Sequence, residues 1–155
     1  MKPHFYQVNI KWDSERKGIL CSPELTAVTN ESGCIEIATP PEFPKGIPGI
    51  WSPEHLFTAS VNSCLMTTFL AIADNSKLEF SAFQCQAQGK LEKVDGKFLM
   101  TEVILKPTLT IAWEKDRERA ERILHKSEAA CLISNSITSR IIMEPIIEVT
   151  EGVTA

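Results

Sequence analysis

The stretch SPEHLFTASVNSCLMTTFLAIAD, residues 52–74, decides the fold because it predicts one long, mostly apolar helix. Ser52 is suited to the N-cap position and Glu54 to the first turn. Apolar side chains occur around much of the helix circumference, and a helix that is apolar nearly all round is expected to be buried. One thiol, Cys64, lies in the middle among polar side chains. A buried central helix that carries a single thiol is where we expect the chemistry.

The length and composition of the chain indicate a single domain over residues 1–155, large enough to bury a core without disulfides or a structural metal. The net charge of −4, without a basic cluster, gives no reason to expect nucleic acid. The start, MKPHFYQVNIKW, lacks the apolar core of a signal peptide, and the apolar run over residues 64–73 is too short to span a bilayer. We therefore expect a cytoplasmic protein that binds neither nucleic acid nor a membrane.

Alternating apolar and polar residues predict a half-buried first strand over residues 5–12, a second strand over residues 19–29 and a third in CIEIA. After the central helix, two long strands flank Asp95-Gly96, a strong hairpin signal. Residues 116–130 predict a second helix, and RIIMEPIIEV predicts a last strand. This order indicates the α+β class, with an antiparallel sheet packed on a long buried central helix and a second helix.

Five cysteines stand at positions 21, 34, 64, 85 and 131, without a CxxC pair. The three histidines do not share metal-ligand spacing with them, so we expect no structural zinc, no other metal and no cofactor. In a cytoplasmic chain such cysteines are expected to be thiols or redox groups rather than structural disulfides. Cys21, Cys34 and Cys85 lie on strand patterns, which predicts small buried side chains.

Two cysteine motifs resemble those of the OsmC/Ohr family, the osmotically inducible and organic hydroperoxide resistance proteins. The first is SPEHLFTASVNSC, a proline-glutamate helix start with Cys64 ten residues after Glu54. The second is EAACLISNSI, in which a helix ends in alanine and Cys131 before a serine-containing segment and a final strand. The approach to the central helix, PPEFPKGIPGIW, is similar as well, so the resemblance covers nearly the whole chain in order.

The resemblance implies an OsmC-like fold, an intertwined homodimer and a thiol-dependent peroxidase that reduces organic hydroperoxides to alcohols. Cys64 matches the peroxidatic cysteine and Cys131 the resolving cysteine, which implies a Cys64–Cys131 disulfide in the cycle. Glu54 matches the family's glutamate, and Arg16, in SERKG, stands where one branch carries its arginine. The resemblance also points to an external dithiol of the lipoyl type as reductant. The chain departs from many members at Leu132, where they have proline after the second cysteine.

Attack on a peroxide requires a thiolate, whereas a free cysteine has a pKa of about 8.5. Cys64 lies about three turns into its helix, where the helix dipole no longer acts. We therefore expect a cation to lower its pKa, with Arg16 in this role and Glu54 orienting it. Glu54 and Cys64 are roughly 15 Å apart along a continuous helix. Either the helix breaks or Glu54 comes from a second subunit, and the apolar circumference favours a homodimer with two interface sites.

Two other functions are compatible with the same residues. His55 or His125 could pair with a cysteine as a Cys–His nucleophile for acyl transfer. The chain could instead be a non-catalytic OsmC-like protein that binds an apolar ligand at the dimer interface, and its two motif cysteines would then stay reduced after peroxide treatment. Phe57, Leu65 and Phe69 are candidates for an entrance suited to alkyl peroxides, or they are core residues.

Overall fold

The computed structural model describes residues 1–26 and 33–152. Within it the chain divides into two compact units, Met1–Leu56 and Phe57–Ala155. Most of the predicted second strand, from residue 27 onward, lies outside the described residues. A single domain over residues 1–155 stays a prediction.

The first unit is a three-stranded antiparallel sheet in which the middle strand is the second in the chain. Its elements are β1 (Asn9–Ser14), β2 (Lys17–Cys21), the short helix α1 (Pro23–Thr26) and β3 (Cys34–Ala38). The strand predicted from CIEIA is confirmed as β3. The predicted half-burial of the first strand is wrong for the single chain, because every residue of β1 is exposed and Trp12 is 74% exposed. A strand whose apolar side chains are this exposed is expected to pack against a partner surface.

Cys21 and Cys34 form a disulfide, which corrects the prediction that both are free, buried thiols. The two residues are register partners at the end of the β2–β3 ladder, and their Cα atoms lie 4.2 Å apart. Sequence alternation predicts the two strands but not which of their residues face each other. The spacing of the cysteines in the sequence therefore could not predict this disulfide.

Helix α2 spans Pro53–Asn75 without a break, as predicted. Its N-cap is Ser52, whose Oγ accepts a hydrogen bond from the backbone N–H of His55 at 3.2 Å. Outside its core face, Met66 and Leu70 are 40% and 42% exposed, so the predicted burial on all sides does not hold for the single chain. The core face consists of Val61, Cys64, Leu65, Phe69 and Ala73.

By length and composition, α2 also qualifies as a helix able to cross a membrane, with a mean hydropathy of 1.6. The core helix of a soluble protein meets the same criteria. Leu65 and Phe69 are fully buried here in two clusters that include strand residues of the second unit. This packing is that of a core helix.

The second unit packs the α2 residues from 57 onward against a mixed four-stranded sheet. Its further elements are β4 (Ala82–Val94), β5 (Lys97–Trp113), α3 (Arg117–Ala130), α4 (Leu132–Asn135), β6 (Arg140–Met143) and β7 (Ile146–Gly152). The α+β class, the second helix and the hairpin are confirmed, and Asp95 and Gly96 turn the hairpin with φ of 49° and 80°. One correction concerns the sheet: β4 is antiparallel to β5, but β6 and β7 run parallel to it.

Pro107 lies in the central strand β5, whereas a proline in a sheet usually lies at an edge or a bulge. The pairing of β5 with β6 ends at Leu105, and its pairing with β7 begins at Thr108. Pro107 therefore lies between the segment of β5 that pairs with β6 and the segment that pairs with β7. Its missing N–H interrupts neither of these two pairings. Its register partner on β4 is Cys85, whose carbonyl accepts a hydrogen bond from Asn62 Nδ2 at 3.0 Å.

Candidate thiol redox site

Cys64 lies on the core face of α2 and is 8% exposed. Its Sγ is 3.8 Å from the hydroxyl of Thr68, one helical turn further along. The neighbouring hydroxyl, that of Thr67, donates instead to the backbone carbonyl of Cys64 at 3.2 Å. The helix thus provides one polar side chain, Thr68, directly at the sulfur.

Cys131 lies where α3 ends and α4 begins, and it is fully buried. Its backbone is extended, with φ −66° and ψ 116°, and its N–H donates to the carbonyl of Glu128 at 3.0 Å. The next two N–H groups, of Leu132 and Ile133, belong to the first turn of α4 and have no carbonyl partner within that helix. The junction therefore offers a thiol and two backbone donors in one place.

The structure brings the two cysteine side chains together. Four donors bond Cys64 Sγ: the Cys131 thiol, the N–H groups of Ile133 and Leu132, and the Thr68 hydroxyl. Burial raises the pKa of the Cys64 thiol, but the four hydrogen bonds outweigh it, and the pKa lies below the ordinary value for a thiol. Cys64 is therefore the member of the pair that ionises first.

The Cys131 thiol shows the opposite behaviour. Burial raises its pKa, and so does the hydrogen bond that its proton makes to Cys64, while the Ser134 hydroxyl and N–H lower it in part. A thiolate on Cys64 raises it further by charge repulsion. The site thus holds a nucleophilic sulfur and, in contact with it, a protonated thiol.

Neutral donors of the second unit already lower the pKa of Cys64, so the direction of the shift does not require a cation. The expected contribution of a cation stays a prediction. Thr68 could have been found from the sequence, since the fourth residue after a cysteine in a helix lies on the same face. The Leu132 and Ile133 amides could not, because every residue except proline has an N–H and only the fold directs it.

Arg16 and Glu54 lie in the first unit. Arg16 lies in the turn between β1 and β2, and its carbonyl accepts the N–H of Thr39 at 3.1 Å. It lines a cavity of about 470 Å³ whose apolar wall includes Trp12 and Pro53. Glu54 is the second residue of α2. Their roles at Cys64 stay predictions.

The histidines have other surroundings. His55 Nδ1 lies 2.7 Å from Ser52 Oγ at the start of α2, and its ring packs in a T-shaped arrangement with that of Trp51. His125 is exposed on α3, whereas both motif cysteines are buried. In residues 1–26 and 33–152, no group of three or more His, Cys, Asp or Glu side chains is placed to hold a metal ion.

Cys85 is the remaining free thiol in the part of the chain that the structure describes. Burial raises its pKa to about 11, although the N–H of Lys106 offsets this in part, so it is protonated at neutral pH. Of the three apolar entrance candidates, Leu65 and Phe69 are fully buried core residues, and only Phe57 is partly exposed.

The fold and the site define a class: an α+β protein with a low-pKa cysteine on a core helix and a second cysteine at a helix junction. The sequence pattern of the OsmC-like protein family matches residues 46–145, and the chain belongs to that family.

Similar proteins span nearly the whole chain. The uncharacterized protein YmaD of Bacillus subtilis strain 168 is 23% identical over 147 residues, which cover 91% of each chain. An OsmC-like protein of unknown function from Vibrio cholerae has a TM-score of 0.79 at 21% identity, covering 93% of this chain and all of that one. The organic hydroperoxide resistance protein OhrB of Bacillus subtilis has a TM-score of 0.66 at 18% identity, covering 94% and 98%. At these identities the solved structures show a shared fold.

Proposed function

We propose that this protein is a thiol-dependent peroxidase that reduces organic hydroperoxides, with Cys64 as the peroxidatic and Cys131 as the resolving cysteine. The observation that carries the proposal is the contact between a thiol of lowered pKa and a second, protonated thiol. An isolated buried cysteine would be inert, because burial alone raises its pKa. The pair is arranged for two successive steps.

In the first step the Cys64 thiolate attacks the terminal oxygen of the hydroperoxide and the O–O bond breaks. The sulfur is oxidised to a sulfenic acid, and the alkoxide leaves as an alcohol once it has received a proton. The adjacent Cys131 S–H, which already donates to Cys64 Sγ, is one source of that proton. The four donors around Cys64 favour the thiolate that this step consumes.

In the second step the Cys131 sulfur attacks the Cys64 sulfenic acid, which forms a Cys64–Cys131 disulfide and releases water. The Cys131 thiol acts as a hydrogen-bond donor that lowers the pKa of Cys64, so the two side chains are neighbours and we expect this step to need no large movement. An external dithiol then reduces the disulfide by exchange and is itself oxidised. We propose a dithiol of the lipoyl type, in line with the family resemblance.

The substrate class rests on similarity and on the apolar surroundings. One similar protein of known structure is named for organic hydroperoxide resistance. Partly buried apolar residues, including Phe57 and Ile133, pack against a core cluster whose α2 members, Val61 and Leu65, are near Cys64 in the helix. Such side chains suit an alkyl or aryl group better than hydrogen peroxide, which has none.

The peroxidase proposal is tested by steady-state consumption of cumene hydroperoxide with dihydrolipoamide as reductant. Wild-type protein is expected to turn over, and Cys64→Ser is expected to fall to the background rate because its hydroxyl is not ionised at neutral pH. Cys85→Ser is the matched control: that thiol is protonated at neutral pH, so activity should be kept. Turnover by Cys64→Ser, or none by the wild type, would refute the proposal. The second outcome would favour the ligand-binding alternative.

We also propose that the functional form is a homodimer, and dimers are typical of this fold. In the single chain, apolar residues of β1 and of α2 are exposed, among them Trp12, Met66 and Leu70. Helix α2 is unbroken, so a break in this helix cannot explain how Glu54 and Cys64 would serve one site. Glu54, and Arg16 with it, would serve the site from a second copy, with Glu54 orienting Arg16 toward the Cys64 sulfur.

Light scattering is expected to give twice the 17.3 kDa chain mass for the wild type. Leu70→Asp should shift it to the monomer mass, because a carboxylate in an apolar interface costs several kcal/mol, enough to change the dimer population greatly. Lys126→Asp, on the exposed side of α3, is the control and should remain dimeric. A monomeric wild type would contradict the dimer.

A further inference from the structure

Thr67 and Thr68 are adjacent hydroxyls near Cys64 with different partners. In helices, Ser and Thr hydroxyls commonly turn back to the carbonyl three or four residues earlier. Thr67 does so and occupies the carbonyl of Cys64 at 3.2 Å. Thr68 instead has its hydroxyl 3.8 Å from Cys64 Sγ. The Thr68 hydroxyl contacts a sulfur in place of the usual backbone carbonyl. We therefore attribute this contact to the thiol site and not to a general property of helices.

The direction of this contact depends on the state of Cys64. With a neutral thiol either atom can donate, but a thiolate has no proton, so the Thr68 hydroxyl must then be the donor. The other donors reach the sulfur from the α3–α4 junction, which holds Cys131, Leu132 and Ile133. Thr68 is the donor on the same helix as Cys64, so the helix itself holds this hydroxyl beside the sulfur.

We propose that Thr68 is a positioning residue for the proposed peroxidase: its hydroxyl donates to the Cys64 thiolate and holds the sulfur toward the Cys131 thiol. The importance of Thr68 for catalysis rests on the proposed function, but its effect on the ionisation of Cys64 does not. Within the described second unit, Cys131 is the titratable side chain that bonds Cys64, and its own proton is retained to higher pH. A readout at each cysteine therefore distinguishes the reaction of Cys64 from that of Cys131.

The test is the pH dependence of Cys64 alkylation by iodoacetamide in the reduced protein, read for each cysteine by peptide mass. Thr68→Val keeps the shape of the side chain and removes the hydroxyl. The pH of half-maximal rate should rise, and the rate at neutral pH should fall about tenfold, as for one lost hydrogen bond to a charged group. Thr68→Ser, which restores the hydroxyl, should return the profile to that of the wild type.

Thr67→Val is the matched control, because it removes the neighbouring hydroxyl and leaves the sulfur contact intact. An unchanged profile in Thr68→Val, or an equal shift in Thr67→Val, would overturn the proposal. If Thr68→Val does not fold, Thr68→Ala is measured against the same criteria. Alkylation involves no peroxide, so a shifted profile in a protein without peroxidase activity would refute the proposed function and leave the role of Thr68 standing.

Discussion

Cys131→Ser is expected to stop after one oxidation at Cys64. The variant keeps a hydroxyl that can donate to the thiolate, so the attack on peroxide should continue. It lacks the sulfur that condenses with the sulfenic acid, so Cys64 should gain one oxygen and become a target for dimedone. Turnover with a dithiol should fall by about a hundredfold or more, because a tethered thiol in contact acts at a far higher effective concentration than a free one.

Cys85→Ser is the control for this experiment as well, since Cys85 is the third free thiol of the second unit. It should form the Cys64–Cys131 disulfide at the wild-type rate. If Cys131→Ser turns over like the wild type, Cys131 is not the resolving cysteine. A disulfide from Cys64 to Cys85 in the wild type would contradict the assignment in the same way.

Leu132→Pro is expected to raise the pKa of Cys64 and slow its reaction with peroxide about tenfold at neutral pH, as for one lost hydrogen bond to a charged group. Proline removes the Leu132 N–H, one of the four donors to Cys64 Sγ. The backbone accepts the change, because Leu132 is the first residue of α4 and proline is favoured there. Cys131 before it is already extended, as a residue preceding proline must be.

Leu132→Ala is the matched control, since it shortens a side chain that is 67% exposed and keeps the N–H. Its alkylation and peroxide rates should stay within about twofold of the wild type, because exposed substitutions of this kind change little. Stopped-flow measurement of the first oxidation separates this effect from disulfide formation. Equal rates for Leu132→Pro and Leu132→Ala would show that this amide does not stabilise the thiolate.

Local patterns predicted the elements that depend on neighbours in sequence. Ser52 before Pro53 marked the start of α2, Asp95-Gly96 marked the hairpin, and CIEIA marked β3. Each signal acts within a few residues, through capping, turn geometry or side-chain alternation. The α+β class followed from their order.

Features that depend on register or on a partner could not be predicted in this way. The Cys21–Cys34 bridge depends on which residues of two strands face each other. The parallel pairing of β6 with β5 depends on how the chain returns after α3. The alternation pattern predicted that Trp12 is half-buried, but its side chain is exposed in the single chain. Such a pattern identifies an apolar face of a strand, but it does not show whether the same chain or a partner covers that face.

At the site, the side chains were visible in the sequence and the backbone donors were not. Two cysteine motifs indicated Cys64 and Cys131, and the structure places these two in contact. A charge such as Arg16 was expected to lower the pKa of Cys64, and hydrogen bonds from neutral groups of the second unit already lower it. Backbone amides at the α3–α4 junction have no sequence signature, so this part of the site required the fold.

The most direct measurement is a thiol count by intact mass before and after one equivalent of cumene hydroperoxide, followed by peptide mapping. The Cys64–Cys131 peroxidase predicts the rapid loss of two thiols, linked as Cys64–Cys131 and restored by dihydrolipoamide. Survival of all three free thiols of the described chain, Cys64, Cys85 and Cys131, would contradict it.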